Sequence, residues 1–156
     1  MAEPATALAA QTAEVITVTV CGQTFAIGIM HVREIRGWTS STKLVHAPDY
    51  VVGMINLRGK VLPVIDLGLR LGLGQSNTTS SAVVMVVEIG DRQVGLLVDA
   101  VCDILTVGPE MRQAPPELGS HGETRAVEGL ITTDEGIVTL LTLEGVLPEG
   151  LEQLVA

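Results

Sequence analysis

An arginine stands in the middle of the most hydrophobic long segment of this 156-residue chain. The segment at 51–67 reads VVGMINLRGKVLPVIDL, with Arg58 near its centre. A guanidinium stays ionised in proteins, and an unpaired charge is not left inside a core. Because Gly59 follows directly and accepts the positive φ of a tight turn, we predict that Arg58 lies at a loop tip or groove lip. There it either caps strand-end carbonyls or pairs with an acid such as Glu34, or it anchors a binding partner.

Residues that could catalyse a reaction or bind a metal are scattered along the sequence. No two histidines have the i, i+4 spacing of a helical metal site, and none lies beside a cysteine pair. Asp66, Asp99 and Asp103 each end or follow an apolar run, which is typical of turn caps. The sequence has no glycine-rich phosphate loop before a helix and no Gly-x-Ser-x-Gly motif. We therefore expect neither an enzyme nor a bound metal or cofactor.

Composition argues against two further classes of function. The formal net charge is -9, whereas a surface that binds nucleic acid is basic. Aromatic residues make up only 2% of the sequence, so few side chains could stack on bases. No apolar run approaches the ~20 residues of a membrane-spanning helix, and residues 1–14 lack the basic leader and apolar stretch of a secretory signal. We expect a cytoplasmic protein whose two cysteines, Cys21 and Cys102, are reduced and buried.

Apolar periodicity predicts three β-hairpins and an all-β barrel or sandwich. They join residues 16–20 to 25–29, residues 83–89 to 93–98, and residues 130–133 to 137–143. The run from Val83 to Val87 is apolar at every position, which indicates a central strand that is buried on both faces. Short helices are predicted at 30–36, in the turn at 48–53, at 66–71 and from about Glu149.

A weak internal repeat accompanies the hairpins. The strand at 25–29 leads to Val32-Arg33-Glu34-Ile35, and the strand at 94–98 leads, at the same offset, to Val101-Cys102-Asp103-Ile104. The similarity arises either by chance among valine-rich strands or because the chain contains two sub-barrels of related design.

Several motifs resemble the chemotaxis coupling protein (CheW) family. They are VREIRGW at 32–38, Pro48, GMINLRG at 53–59, PVIDL at 63–67 and VGLLVDAV at 94–101, with later matches at 129–131 and 140–144. The run Gly-x-x-Asn-Leu-Arg-Gly-x-x-x-Pro-x-x-Asp-Leu is the most specific of these. The resemblance extends from Val15 to Leu147, which is nearly the whole chain.

The resemblance implies two SH3-like five-stranded β-barrel subdomains that share a hydrophobic core, with short helices. It also implies an adaptor without catalytic activity, which couples the cytoplasmic tips of chemoreceptors (methyl-accepting chemotaxis proteins) to the regulatory domain of a sensor histidine kinase in receptor arrays. By the family pattern, the receptor-binding residues are Val32, Glu34, Ile35, Asn56, Arg58 and Val98. The candidate kinase-binding residues are Gly53, Gly59, Val94 and Gly95.

The predicted domain boundaries follow the same resemblance. Residues 15–150 are assigned to the CheW-like domain, residues 1–14 to a disordered N-terminal tail and residues 151–156 to a C-terminal tail. Two alternative functions stay open. One is a coupling-like adaptor in a non-motility chemosensory pathway. The other is a regulatory β-barrel that binds a small molecule, with Asp66, Asp99 or Asp103 gathered around an interior pocket.

Overall fold

Strands dominate the computed structural model, which describes residues 13–38, 48–74, 82–114 and 126–147. The strands are β1 Ala13–Val20, β2 Gln23–Gly28, β3 Val32–Gly37, β4 Val51–Leu57, β5 Lys60–Asp66, β6 Val83–Ile89, β7 Arg92–Val98, β8 Ala100–Val107, β9 Arg112–Gln113, β10 Val127–Thr133 and β11 Gly136–Leu141. Two four-residue helices, α1 Leu67–Arg70 and α2 Leu143–Val146, and two 3-10 turns, Ile29–His31 and Pro109–Met111, complete the described elements. The predicted tail at 151–156 and residues 1–12 lie outside these ranges, and β1 begins inside the predicted N-terminal tail, at Ala13.

The described strands form two sheets of related topology. Sheet 1 has the order β8-β1-β2-β11-β10-β9, and sheet 2 has the order β3-β6-β7-β5-β4. Sheet 2 contains the predicted five strands, and sheet 1 contains five strands plus the two-residue β9. In each sheet one long hairpin is joined by a parallel contact to a second hairpin, β2 to β11 in sheet 1 and β7 to β5 in sheet 2.

The two sheets exchange their third strands, and this explains the internal repeat. Strand β3 follows the β1–β2 hairpin but pairs with β6 in sheet 2, whereas β8 follows the β6–β7 hairpin but pairs with β1 in sheet 1. Ile35 at the end of the first repeat pairs with Met85 of β6, and Ile104 at the end of the second repeat pairs with Ile16 of β1. The repeat in the sequence therefore reflects two subdomains of related structure. Both pairings also contain a β-bulge at the same place.

Strands near the middle of each sheet bury both faces, because one face packs inside a subdomain and the other packs between the subdomains. In β7, Leu97 contributes to the core of sheet 2, while Leu96 enters a cluster shared with residues of β1 and β2 such as Val18 and Phe25. In β6, Met85 enters the shared cluster and Val84 the core of sheet 2. The predicted central strand and the shared core are therefore confirmed.

An arginine joins the two subdomains at the ends of their short helices. Arg70, at the end of α1, donates hydrogen bonds to the carbonyl oxygens of Val146 at 2.6 Å and Gly145 at 3.3 Å. Its guanidinium carbon lies 5.2 Å from the centre of the Tyr50 ring, within the range of a cation–π contact. Arg70 therefore satisfies carbonyls at the end of α2, which a helix leaves without intrahelical partners.

Two of the four predicted helices are wrong. Residues 30–36 form a 3-10 turn followed by β3, because pairing with β6 satisfies the backbone groups of Val32 and Ile35 and overrides local helix preference. The segment 48–53 contains a turn that ends with the Val51 amide donating to the Pro48 carbonyl at 3.0 Å, after which β4 begins. The helix at 66–71 is confirmed as α1, and the predicted piece from Glu149 lies outside the described residues. The third hairpin ends at Leu141, and Leu143 starts α2 instead.

Candidate functional site: a charged groove beside a hairpin tip

The hairpin between β4 and β5 presents Arg58 at its tip. Leu57 pairs with Lys60, so Arg58 and Gly59 form a two-residue loop with φ angles of 54° and 85°. Two positive φ values are typical of a type I′ turn, which matches the twist of the flanking strands. The Asn56 side-chain oxygen accepts a hydrogen bond from the Gly59 amide at 2.9 Å and helps to fix the loop. The Arg58 side chain is 75% exposed, which confirms its predicted place at a loop tip.

Glu34 on β3 holds the Arg58 guanidinium in place. Its two carboxylate oxygens accept from Arg58 at 2.9 Å and from Arg36 at 3.0 Å. Strands β3 and β4 lie at opposite ends of the strand order of sheet 2, so the Arg58–Glu34 ion pair links the two ends of this sheet. The predicted pairing of Arg58 with Glu34 is confirmed. Because the Arg58 side chain is mostly exposed, the pair orients it more than it stabilises the fold.

A second ion pair stands next to the first. The Arg33 side chain donates to Glu88 at 2.8 Å, and the amide of Gln93 donates to the other carboxylate oxygen of Glu88 at 2.9 Å. The hydrogen bond from Gln93, followed by that from Arg33, lowers the pKa of Glu88 below its usual value, although burial opposes the shift. The nearby positive charge of Lys60 acts in the same direction. These contacts therefore favour the ionised form of Glu88.

These side chains border a groove of about 420 Å³, which we name the charged groove. Its apolar residues are Leu57 and Val86, both buried. Its polar residues are Arg33, Glu34, Arg58, Lys60 and Gln93. The groove therefore places two largely covered apolar side chains beneath three cations, one carboxylate and one amide, a charged set that is typical of the polar rim of a protein–protein interface.

The pKa of Glu34 provides a test of this geometry. Burial raises that pKa, but hydrogen bonds from Arg58 and Arg36 and their positive charges outweigh it, so the pKa is lowered. The ion pair therefore contributes stability above the ordinary pKa of about 4.3 and loses it as the pH falls through the lower folded value. We expect an NMR titration of the Glu34 carboxyl carbon to have its midpoint below about 4.3.

Removing Arg58 gives the control for that titration. In Arg58→Gln the Glu34 midpoint should rise, because one of its two guanidinium partners is lost. An unchanged midpoint in this variant, or a midpoint above the ordinary value in the parent chain, would show that the Arg58–Glu34 contact does not persist in solution.

The structure brings together some of the six predicted receptor-binding residues. Glu34 and Arg58 line the charged groove, and Asn56 is exposed on β4, two residues before Arg58. Ile35 is exposed next to Glu34 on β3. Val32 is half-buried and packs against the shared core. Val98 is fully buried in that core and has no surface to offer a partner in this conformation.

The four predicted kinase-binding residues do not form one exposed surface. Gly59 is exposed beside Arg58, whereas Gly53 is buried at the bulge of β4. Val94 is buried in the shared core. Gly95 is buried where a β-carbon would lie 2.8 Å from a methyl carbon of Val84, so a larger side chain would collide with the core of sheet 2. Any contact through Gly53, Val94 or Gly95 is therefore indirect.

Several residues of the charged groove and their partners were not predicted from the sequence. Arg33, Lys60 and Gln93 line it, Arg36 contacts Glu34, and Glu88 contacts Arg33. Residues 33 and 88 are far apart in the chain, so no local pattern connects them. The strand exchange would have suggested the contact, since β3 pairs with β6, which contains Glu88.

Of the three aspartates considered for an interior pocket, Asp66 and Asp99 occupy cap and turn positions, whereas Asp103 lies within β8. Asp66 accepts from the Leu69 amide at 3.2 Å and caps α1. Asp99 accepts from the Cys21 amide at 2.9 Å, at the β1–β2 turn. Asp103 is exposed, and its backbone bonds the Thr17 hydroxyl. The interpretation as caps is confirmed for Asp66 and Asp99.

The cysteines follow their prediction in part. No disulfide joins Cys21 to Cys102, but Cys102 is exposed on β8, so its predicted burial is wrong. Burial, followed by the negative charges of Asp99 and Asp66, raises the pKa of the Cys21 thiol.

The described ranges contain no cluster of metal ligands and no helix suited to span a membrane. Within 13–38, 48–74, 82–114 and 126–147, no group of three or more His, Cys, Asp or Glu side chains could hold a metal ion. In the same ranges, no helix has the length and apolar character needed to span a membrane. His46 and His121 lie outside the described residues.

Comparison with known proteins gives one consistent answer. Residues 14–150 match the family model of the CheW-like domain. The probable chemotaxis protein CheW of Rhizobium etli is 45% identical over 136 residues, which cover 87% of this chain and 88% of the relative. The chemotaxis protein CheW of Rhizobium meliloti is 44% identical over 135 residues, covering 86% and 87%.

A solved structure extends the match to the fold. The crystal structure of the scaffolding protein TtCheW from Thermoanaerobacter tengcongensis superposes with a TM-score of 0.81 at 28% identity, covering 90% of this chain and 95% of that one. The motifs around Arg58, the paired SH3-like subdomains and these relatives agree, and the chain therefore belongs to the CheW-like family of chemotaxis scaffold proteins.

Proposed function

We propose that this chain is a non-catalytic adaptor that couples the cytoplasmic tip of chemoreceptors to the regulatory domain of a sensor histidine kinase. The adaptor acts in the cytoplasm, at receptor arrays. The observation that carries the proposal is the exposed Arg58–Glu34 ion pair at the border of an open groove with apolar residues beneath it. Charges held in this way favour one partner and one orientation more than they add affinity.

The receptor contact is assigned to the charged groove and the adjoining part of β3. Leu57 and Val86 give it an apolar floor, and Arg33, Arg58 and Lys60 give it cations that can pair with carboxylates. Ile35 and Asn56 extend the surface on either side, and half-buried Val32 supports β3. Val98 contributes indirectly, because its side chain packs in the shared core and supports β7.

The kinase contact is assigned to the end of sheet 2 around Gly59. Gly53, Val94 and Gly95 are buried and affect this surface indirectly, through the positions of the strands that form it. Gly95 permits the close approach of β7 to Val84 and Val64 that a side chain would prevent. Gly53 sits at the bulge that bends β4 next to β5. These positions therefore set the shape of the surface, and only Gly59 lies on it.

Weak contacts suffice for such an adaptor. A Kd of 1 μM corresponds to about -8 kcal/mol, and binding two partners in a repeating assembly raises the effective concentration of each contact. Signal transmission needs one further property, which is a difference in affinity between receptor states for the adaptor–kinase pair.

The test is capture from purified components. A fragment of a chemoreceptor tip and the regulatory domain of a sensor kinase are each immobilised alone, and the chain is added with and without the other partner. We expect each to retain the chain, and the immobilised receptor fragment to retain the kinase domain only when the chain is present. Retention of neither partner, or mutually exclusive retention, would contradict the adaptor.

A further inference from the structure

The two short helices occupy equivalent positions in the two subdomains. Helix α1 follows β5 and α2 follows β11, and each of these strands makes the parallel contact of its sheet. The amide before each helix donates to an equivalent carbonyl, that of Asp66 to Tyr50 at 2.7 Å and that of Thr142 to Ala126 at 2.8 Å. What the chain does after α1 can therefore be compared with what it does after α2.

The segment after α1 contacts the other subdomain. It runs from Leu71 to Gly74, and the Cys21 thiol in the β1–β2 turn of sheet 1 donates to the Gly74 carbonyl at 3.6 Å. Leu73 packs against the shared core, and Val20, at the end of β1, is fully buried in that core. The segment at 71–74 thus clasps the first hairpin of sheet 1 from its place after a helix of sheet 2.

A cleft lies at the corresponding place in the other half of the molecule. It has a volume of about 800 Å³, lies between the β6–β7 turn and α2, and is lined in part by Ile89, Arg92 and Leu147. We name it the α2 cleft. Ile89 ends β6 as Val20 ends β1, but it is only half-buried. Within the described ranges Arg92 makes no ion pair, so the cleft presents an aliphatic side chain and an unpaired cation.

We propose that residues 148–151 of this chain cover the α2 cleft and clasp the β6–β7 hairpin of sheet 2. The segment starts directly after Leu147, which already lines the cleft, so no linker separates it from its site. It contains Leu151, which supplies the aliphatic surface that the half-buried Ile89 needs to leave water. Each subdomain then holds the first hairpin of the other.

Charge favours the same occupant. Counted from the helices, Glu149 takes the place of Leu73, and counted from the turns, Arg92 takes the place of Gln23. An acid and a base therefore stand where the first half has two uncharged side chains. Two carboxylates elsewhere in the lining repel an acid, so Glu149 is directed to Arg92.

The clasp acts on the joint between the subdomains. Arg70 already ties α1 to the carbonyls of Val146 and Gly145 at the end of α2, and residues 148–151 continue from that point toward the β6–β7 turn. The described lining residues of the α2 cleft are not among those of the charged groove. The proposal therefore does not depend on the proposed function.

Exposure of the Ile89 methyl groups to a soluble gadolinium chelate tests the proposal. Paramagnetic relaxation enhancement is measured by NMR on the full chain and on chains that end at Leu151 or at Leu147. In the full chain we expect the enhancement at Ile89 to be closer to that of buried Ile27 than to that of Ile137, which is 67% exposed. It should rise severalfold in the chain that ends at Leu147 and stay unchanged in the chain that ends at Leu151.

A charge exchange in the full chain tests the contact between Glu149 and Arg92. Arg92→Glu and Glu149→Arg should each increase the enhancement at Ile89, because two like charges then face each other. The double variant has the net charge of the parent chain and should restore the parent value. Glu152→Arg makes the same change in charge as Glu149→Arg, three residues further along, and should leave Ile89 covered.

Three results would overturn the proposal. They are equal enhancement at Ile89 in the full chain and in the chain that ends at Leu147, no recovery in the double variant, and an enhancement that rises when the full chain is diluted, since a second copy then covers the cleft. If the chain that ends at Leu147 does not fold, the charge exchange decides. Receptor and kinase capture are measured separately, so failure of the clasp leaves the adaptor proposal untouched.

Discussion

Replacement of Leu96 by alanine is expected to lower the free energy of unfolding by about 2–5 kcal/mol, the range for a leucine lost from a tight core. Leu96 is fully buried in the cluster that both sheets share. A cavity at this position removes contacts of sheet 2 and of sheet 1 together. Because small domains have total stabilities of about 5–15 kcal/mol, the loss should be plain in urea denaturation followed by circular dichroism.

The single tryptophan makes the role of the shared core testable. Trp38 packs against the core of sheet 2, so its fluorescence reports on that subdomain, whereas far-UV circular dichroism reports on both. We expect the two signals to give one coincident transition in the parent chain and in Leu96→Ala, as a cooperative unit requires.

Two control variants show whether the loss of stability in Leu96→Ala comes from the shared core. Leu97→Ala removes the same side chain from the neighbouring position, which faces the core of sheet 2 alone, and Ile104→Ala removes an exposed side chain. Ile104→Ala should change stability by less than about 0.5 kcal/mol. A fluorescence transition that precedes the circular dichroism transition in the parent chain would mean that the subdomains unfold independently.

Local pattern was sufficient to predict most strands. Each of these predictions used residues that are close together in the sequence. Examples are the alternation around Val18, the run at Val83–Val87 that is apolar on both faces, and the glycine after Arg58. The pairing of Arg58 with Glu34 was also predicted, because one charge near an apolar segment needs a partner and an acid was available. These are cases in which local and tertiary preferences agree.

The remaining features depend on contacts between distant parts of the chain. The segment 30–36 was predicted as a helix because its partner, β6, is far away in the sequence, and the exchange of β3 and β8 cannot be read from either strand alone. Burial of Val94, Gly95 and Val98 has the same cause. A family motif marks such residues as important, but only the packing shows whether they touch a partner or support those that do.

Arg58→Glu is expected to weaken capture by a chemoreceptor tip about 30-fold or more, since removing one partner of a charge pair that becomes buried on binding costs about 2–5 kcal/mol, much of it from the charge left unpaired. The substitution removes a cation from the charged groove and places a second carboxylate next to Glu34. The fold should persist, because the side chain is exposed and an exposed ion pair contributes only about 0–1 kcal/mol. Affinity is measured by titrating a labelled receptor fragment, and stability by urea denaturation of the same samples.

Two variants at the same position separate charge from backbone conformation. Arg58→Gly removes the cation but suits the φ of 54° that this residue adopts, so we expect weak capture with stability equal to or above that of the parent chain. Arg58→Lys keeps the charge without the planar fork that binds carboxylates in pairs, and its affinity should be intermediate. If Arg58→Gly instead captures the receptor as well as the parent chain does, the guanidinium is not the receptor contact, and the turn that presents it has only a structural role.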